Sequence, residues 1–261
     1  MNKKSFELEN KNIILVGATG ILGKTFAHAL IEEGANLILL DHPDSDLMVF
    51  SERLKVLGIH IDLGDESSVI NAIDAAQKEL GNFDVVINNA AATTEYLKTK
   101  GDVFMPFENY PIDVWKHSLD IDLTGTFLVC RESGKFMSDK GGSIINISSI
   151  YGIVGPDHRI YEEQDFKSLP GYSASKAGVI GLTRWLATWW SKKNIRVNCI
   201  TPGGVFNNHD ENFVAEYANR TPMGRMAERE ELIGIILFLA SELSSYSTGQ
   251  NYIIDGGYSA W

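Results

Sequence analysis

The chain has little of what would take it out of a reducing, aqueous compartment. Only two cysteines occur in 261 residues, Cys130 and Cys199. Each sits in an apolar run of helix or strand pattern, so buried free thiols are expected rather than a disulfide or a reactive group. Basic charge is scarce as well: 23 Lys and Arg stand against 34 Asp and Glu, a formal net charge of −11 with pI near 5.0. A field of that sign repels nucleic acid and anionic membrane, so neither is expected as a partner, while a local basic pocket for a small anion stays open. No run approaches the ~20 apolar residues a membrane span needs, and the charged stretch from Met1 to Asn12 lacks the apolar centre of a signal peptide. A cytoplasmic protein is expected. No linker, repeat or low-complexity stretch divides the chain and nothing calls for a metal, so residues 1–261 read as one domain.

What is present alternates between strand and helix patterns. Ile13-Ile14-Leu15-Val16 is a short β-branched run of the kind covered on both faces of a parallel sheet. It leads into Gly17-Ala18-Thr19-Gly20-Ile21-Leu22-Gly23 and an apolar stripe ending at Gly34. Strand, glycine turn and helix in that order are the context of a dinucleotide fingerprint, in which glycines admit a pyrophosphate to the backbone and the helix start attracts its charge. A tight turn without a ligand has the same pattern. A second strand, Leu37 to Leu40, ends in Asp41, eighteen residues after Gly23. A carboxylate there accepts hydrogen bonds from ribose hydroxyls and repels a 2′-phosphate, which predicts NAD rather than NADP.

Further strands are predicted at 59–61, 84–87, 143–147, 195–200 and 252–254. Asp62-Leu63 after the third is placed to meet an adenine, and Asn89-Ala90-Ala91 after the fourth lets a cofactor lie against the backbone, although a plain strand-to-loop turn reads alike. Helices are predicted at 66–80, 113–137, 172–192 and 228–240, with 93–111 left irregular. Strands alternating with helices throughout mean one doubly wound parallel sheet.

The chemistry centres on Tyr172-Ser173-Ala174-Ser175-Lys176. Four residues apart on a helix, the phenol and the ammonium share a face. A phenol ordinarily holds its proton to a pKa of about 10, and a neighbouring positive charge favours the phenolate, making a usable acid or base. Ser148 and Ser149 follow the fifth strand, at the end of the sheet where ligands of open α/β sheets bind.

With Gly17–Gly23, Asn88-Asn89-Ala90, Ser149, Tyr172-x-x-x-Lys176, Pro202-Gly203 and Asp255-Gly256-Gly257 in this order, the chain resembles the short-chain dehydrogenase/reductase superfamily over essentially its whole length. The resemblance implies a single-domain Rossmann fold, a doubly wound seven-stranded parallel sheet flanked by helices. It implies Tyr172 as acid/base, Ser149 as holder of the reacting oxygen and Lys176 as ligand of the nicotinamide ribose. It also implies a cofactor lying along Gly17, Thr19, Gly20, Ile21, Leu22, Gly23, Asp41, Asp62, Leu63, Asn89, Ala90, Ala91, Pro202, Gly203, Val205 and Asn207, and a homotetramer or homodimer formed through the helices at 113–137 and 172–192.

Four departures stand out. The glycines are spaced G-x-x-G-x-x-G rather than the G-x-x-x-G-x-G commoner among single-domain members. Asp122 stands where the family usually has a catalytic Asn that anchors a water and is expected to keep that catalytic role, and Asn207 stands where a Thr commonly meets the nicotinamide amide. Ser149 and Tyr172 are 23 residues apart, longer than the family's usual spacing, because of an insert at about 155–170. Tyr151, His158 and Arg159 are expected to touch the substrate there, the last two suiting a phosphate or carboxylate, with a substrate loop at about 204–228. This insert, with Pro202–Asn208 and the closing Gly256–Trp261, is similar to a bacterial subgroup of flagellin-modification and sialic-acid-like sugar biosynthesis oxidoreductases, which implies a polar sugar or sugar-phosphate substrate. Another hydroxy compound, such as a sugar acid or polyol, and a non-catalytic NAD sensor are the alternatives.

Overall fold

β-Branched and leucine-rich runs with no charge can only be buried on both faces, and in the computed structural model they form the centre of one parallel sheet. The structure describes residues 6–47, 56–92, 94–137, 141–161 and 167–261. Seven strands, β1 (Asn12–Val16), β2 (Asn36–Asp41), β3 (Val56–His60), β4 (Val85–Asn88), β5 (Gly142–Ile147), β6 (Ile195–Pro202) and β7 (Asn251–Ile254), lie in the order β3-β2-β1-β4-β5-β6-β7, every neighbouring pair parallel. The chain leaves β1 toward β3 on one side and returns to continue from β4 on the other. That reversal opens a crevice at the carboxyl ends of β1 and β4.

Side chains alternate across each strand, and the two faces carry separate cores. Leu15, Leu37, Ile87 and Ile145 pack against α1 (Ile21–Glu32) and α8 (Ile233–Ala240) through Phe26, Leu30, Ile236 and Leu239. Their neighbours Ile14, Ile38, Val86 and Ile144 pack on the other face against α2 (Glu66–Leu80), α5 (Thr126–Met137) and α6 (Pro170–Trp189) through Val69, Ile73, Val129 and Leu186. Truncating such fully buried side chains to Ala costs about 2–5 kcal/mol. Among the described residues no helix is long and apolar enough to cross a membrane.

The structure departs from the sequence expectations in several elements. The helix expected over 113–137 is α4 (Ile112–Leu119) and α5, joined by a π-helical segment, Asp120–Gly125. β3 begins at Val56, and Ile61 lies beyond it. The stretch 93–111, read as irregular, holds α3 (Thr94–Lys98) and a 3₁₀ turn at Phe107–Asn109; Thr93 itself lies outside the described residues. The substrate loop contains α7 (Glu211–Asn219), whose first N–H groups, those of Asn212 and Phe213, donate to the Asp210 carboxylate. The helix expected at 228–240 begins as a 3₁₀ turn, Arg229–Leu232, before α8.

Candidate active site

The glycine turn is built by three different demands. Gly17 has φ +78°, and a Cβ on it would lie 2.5 Å from the Ala90 nitrogen. At Gly23 a Cβ would lie 2.0 Å from the Gly17 carbonyl oxygen, so the start of α1 can press onto the turn only without a side chain. Gly20 is different: a Cβ there would meet only Gly17 O, at 3.5 Å, so the protein's own packing does not require glycine. Gly20 is exposed and lines the cleft, and α1 has no side-chain cap. Bare backbone and free helix-start N–H groups are a cradle for a diphosphate. The G-x-x-G-x-x-G spacing therefore makes a workable turn. Asn89 closes it from behind, its Nδ2 donating to Gly17 O at 2.9 Å.

At the end of β2 the Asp41 carboxylate accepts from Thr19 N at 2.7 Å and Thr19 Oγ1 at 2.8 Å, and from His42 N at 2.8 Å and Ser45 Oγ at 3.0 Å. These four bonds fix it beside the glycine turn. Asp62 and Leu63 line the same end of the cleft, as do Ile21, Leu22, Ala90 and Ala91. Among the described residues the cleft walls carry no Lys or Arg besides Lys167 and Lys176, both on the α6 side.

At the other end α6 places Tyr172 and Lys176 one turn apart, with Lys176 Nζ 5.6 Å from the centre of the Tyr172 ring. The buried ammonium donates to the Ile147 carbonyl at 3.1 Å, the last residue of β5. Ser148 Oγ donates to Lys176 O at 2.8 Å, and a Cβ on Gly152 would lie 2.7 Å from the Lys176 carbonyl carbon. The turn after β5 is thus pressed onto α6, which brings Ser149 into the cleft with Tyr172 and Lys176. Ser149 Oγ accepts from Tyr151 N at 3.2 Å, leaving its hydroxyl hydrogen for another partner.

Asp122 sits in the π-helical segment, a feature often found at functional sites. Its carboxyl group accepts from Ala92 N at 2.6 Å and pairs with Ser175 Oγ at 3.0 Å, fastening the loop after β4 to α6. Burial pushes its pKa above the usual carboxylate value, with the Lys176 charge pulling the other way. The Ser175 hydroxyl faces two acceptors, Asp122 Oδ2 and Tyr172 O at 2.8 Å, yet it has one hydrogen. A protonated Asp122 donating to Ser175, which donates to Tyr172 O, satisfies both.

Aromatic side chains wall the outer cleft. Tyr151 and Tyr161 oxygens are 2.6 Å apart, and burial raises both phenols, Tyr161 to about 12. Phe213 and Tyr217 face them from α7, with Gly204 N donating to Tyr217 Oη at 2.5 Å. Ile150, Ile160 and Met226 complete this small core, which docks the first part of the insert on the substrate loop. Asp157 fastens the two by an ion pair to Arg220, and its carboxyl is held well below the usual range by Arg159 and Arg220.

Two of the expected substrate contacts are not brought into the cleft. Arg159 is exposed and forks onto Asp157, with two 2.8 Å bonds, and His158 beside it is also exposed; neither lines the cleft. The reason is local, because an Asp two residues earlier captures the guanidinium. Asn207 likewise stays outside, exposed, its N–H directed to His209 Nδ1 at 3.1 Å, while Pro202, Gly203 and Val205 line the cleft. Glu162, Glu163 and Gln164 of the insert lie outside the described residues. Sequence reasoning missed Tyr161, Phe213, Tyr217 and Leu169 as cleft walls. The signal for α7 was available in Asp210 followed by Phe213 and Tyr217 at helical spacing.

The cleft measures about 1120 Å³, above the ~300–1,000 Å³ of pockets for a single small ligand, with the glycine turn at one end and Tyr172 with Lys176 at the other. Fold and site together define an α/β protein of the dinucleotide-binding class. Residues 17–259 match the family model described as enoyl-(acyl carrier protein) reductase. The chain is 35% identical to trans-4-hydroxycyclohexanecarboxylate dehydrogenase of Sinomonas cyclohexanicum, across 100% of this chain and 97% of that one. Among solved structures it is similar to a short chain dehydrogenase from Leptospira borgpetersenii with bound NAD+ (TM-score 0.86, 32% identity, 99% and 97% of the two chains). It is also similar to a gluconate 5-dehydrogenase from Burkholderia cenocepacia in complex with NADP and tartrate (TM-score 0.84, 25% identity, 98% of each). The chain belongs to the short-chain dehydrogenase/reductase superfamily and is an oxidoreductase of that family. These relatives lend no support to the narrower likeness to the flagellin-modification subgroup.

Proposed function

We propose that the protein is an NAD-dependent oxidoreductase that interconverts a secondary alcohol and a ketone. The observation that carries this is the convergence of Ser149, Tyr172 and Lys176 on one cleft whose far end is the glycine turn and Asp41. A bound nicotinamide dinucleotide supplies the hydride acceptor or donor there. Oxidation of an alcohol releases two electrons with the carbinol hydrogen and one proton from the hydroxyl. Tyr172 takes that proton as its phenolate and returns it in the reverse direction. Ser149 donates its free hydroxyl hydrogen to the same oxygen, stabilising the alkoxide that forms on the way. Lys176, fixed by Ile147 O and one helical turn from Tyr172, holds the nicotinamide ribose.

NAD rather than NADP rests on Asp41. A 2′-phosphate would meet a carboxylate already held by four hydrogen bonds, with no described Lys or Arg lining that end of the cleft. The neighbours include both an NAD+ and an NADP complex, so titration of each dinucleotide, followed by turnover with a panel of cyclic alcohols, sugar acids and polyols, is the direct test. Preference for NADP, or turnover of none of these classes, would remove the reading. For the substrate, the aromatic walls favour an apolar frame over a sugar phosphate. A sugar acid or polyol remains the second reading, favoured by the likeness to gluconate 5-dehydrogenase. The protein acts in the cytoplasm as a homo-oligomer: Trp185 and Trp189 stack at 5.2 Å on the outer side of α6 and are 57% and 67% exposed, a face suited to cover by another copy.

A further inference from the structure

A second recognition point lies where the insert runs into α6. Lys167 and Ser168 both line the cleft, directly before Leu169, the residue that caps α6. Among the described residues Lys167 forms no ion pair, and Ser168 Oγ is buried without a hydrogen-bond partner. Buried hydroxyls are nearly always paired, so this one asks for a group from outside the chain. The first residue of α6 is Pro170, and Leu169 gives no side-chain cap, so the partial positive charge of the helix start stands at the same place.

An ammonium, an unused hydroxyl and an uncapped helix start suit a carboxylate. A phosphate monoester carries roughly two charges and would leave one of them without a partner. Leu169, Tyr161, Phe213 and Met226 supply apolar wall in the same cleft. Tyr172 lies five residues beyond Lys167, in the first turn of α6, and both line the same cleft.

We propose that Lys167 and Ser168 bind the carboxylate of a secondary hydroxy acid with an apolar frame, or of the matching oxo acid. This rests on the alcohol–ketone reading of the same site. Neither residue takes part in the hydride or proton transfer; they set which alcohol is held.

The test is calorimetric titration of cyclohexanecarboxylate and cyclohexanecarboxamide, isosteric ligands differing in charge, into the protein saturated with NADH. The wild type binds the carboxylate about tenfold or more tightly than the amide, as expected for hydrogen bonds to a charged group. Lys167→Met brings the two to within about twofold, Lys167→Arg keeps most of the preference, and Ser168→Ala weakens carboxylate binding about threefold. Equal binding of the two ligands by the wild type, no binding of either, or a preference that survives Lys167→Met would overturn the proposal. The last outcome is also what an ammonium already neutralised within the protein would give. Tyr172→Phe separates the two readings: it keeps the carboxylate preference while abolishing turnover. Turnover that survives in it, with the preference intact, removes the role given to Tyr172 and leaves the carboxylate site standing.

Discussion

Replacing Asp122 tests how the site manages a buried carboxyl group beside a buried ammonium. In Asp122→Asn the Oδ1 still accepts from Ala92 N, and the new amide donates to Ser175 Oγ, whose hydrogen goes to Tyr172 O. Both existing contacts, at 2.6 and 3.0 Å, survive. Asp122→Ala strands the Ala92 N–H and one Ser175 contact, at about 1–3 kcal/mol for each buried group left unpaired, so a loss of about 2–4 kcal/mol is expected. The pH dependence has a definite sign. Burial raises the folded pKa of Asp122 above its unfolded value of about 3.9. The native state therefore holds more protons than the unfolded one between those two values, and wild-type stability falls as pH rises through that window. Asn does not titrate, so the stability of Asp122→Asn relative to wild type rises across the window and levels off above the folded pKa. Urea unfolding at a series of pH values from 4 to 8 measures this, with Asp122→Asn within about 1 kcal/mol of wild type at the lowest. A loss above about 2 kcal/mol at every pH, with no change across the series, would refute the reasoning. It would mean that the carboxylate is ionised and serves as the counter-ion of Lys176.

Three further outcomes are expected. Asp41→Asn removes the negative charge beside the adenosine end, and its ratio of NADP to NAD affinity rises by at least about fivefold, since one charge pair at 4 Å is worth about 1 kcal/mol even in water; an unchanged ratio contradicts the NAD assignment. Gly23→Ala drives a Cβ to 2.0 Å from Gly17 O, so it loses dinucleotide affinity and about 1–3 kcal/mol of stability, both read by thermal melts with and without NAD. Trp185→Glu with Trp189→Glu places charge on the exposed stacked pair, and sedimentation should show a smaller assembly than wild type; the same assembly size would mean that this face is not an interface.

The sheet and the glycine-turn end of the cleft were legible because their signals are local. An uncharged run such as Ile13–Val16, a glycine turn and a carboxylate at the end of β2 each report their own environment within a few residues. Tyr172 and Lys176 were readable for the same reason, lying one helical turn apart. The π-helical segment at Asp120–Gly125 was not, because nothing in Asp-Ile-Asp-Leu-Thr-Gly distinguishes it from plain helix; Asp122 is held by Ala92 and Ser175, 30 and 53 residues away in sequence. The outer cleft was misjudged for a related reason. His158 and Arg159 are the first basic residues of the insert, but Asp157 and Arg220 decide where that segment lies, and Tyr161 reaches the wall by packing on Phe213. Spacing alone does not convey such long-range partners, nor the capture of Arg159 by its near neighbour.

The central claim is that the phenol of Tyr172 moves the proton when an alcohol is oxidised. The measurement that tests it most directly is NADH formation from trans-4-hydroxycyclohexanecarboxylate and from a panel of other secondary alcohols, by wild type and Tyr172→Phe. NAD affinity is measured on both proteins. Wild-type turnover that falls about a hundredfold or more in the variant, with NAD binding retained, is the predicted result. Equal turnover by the two proteins would contradict the account.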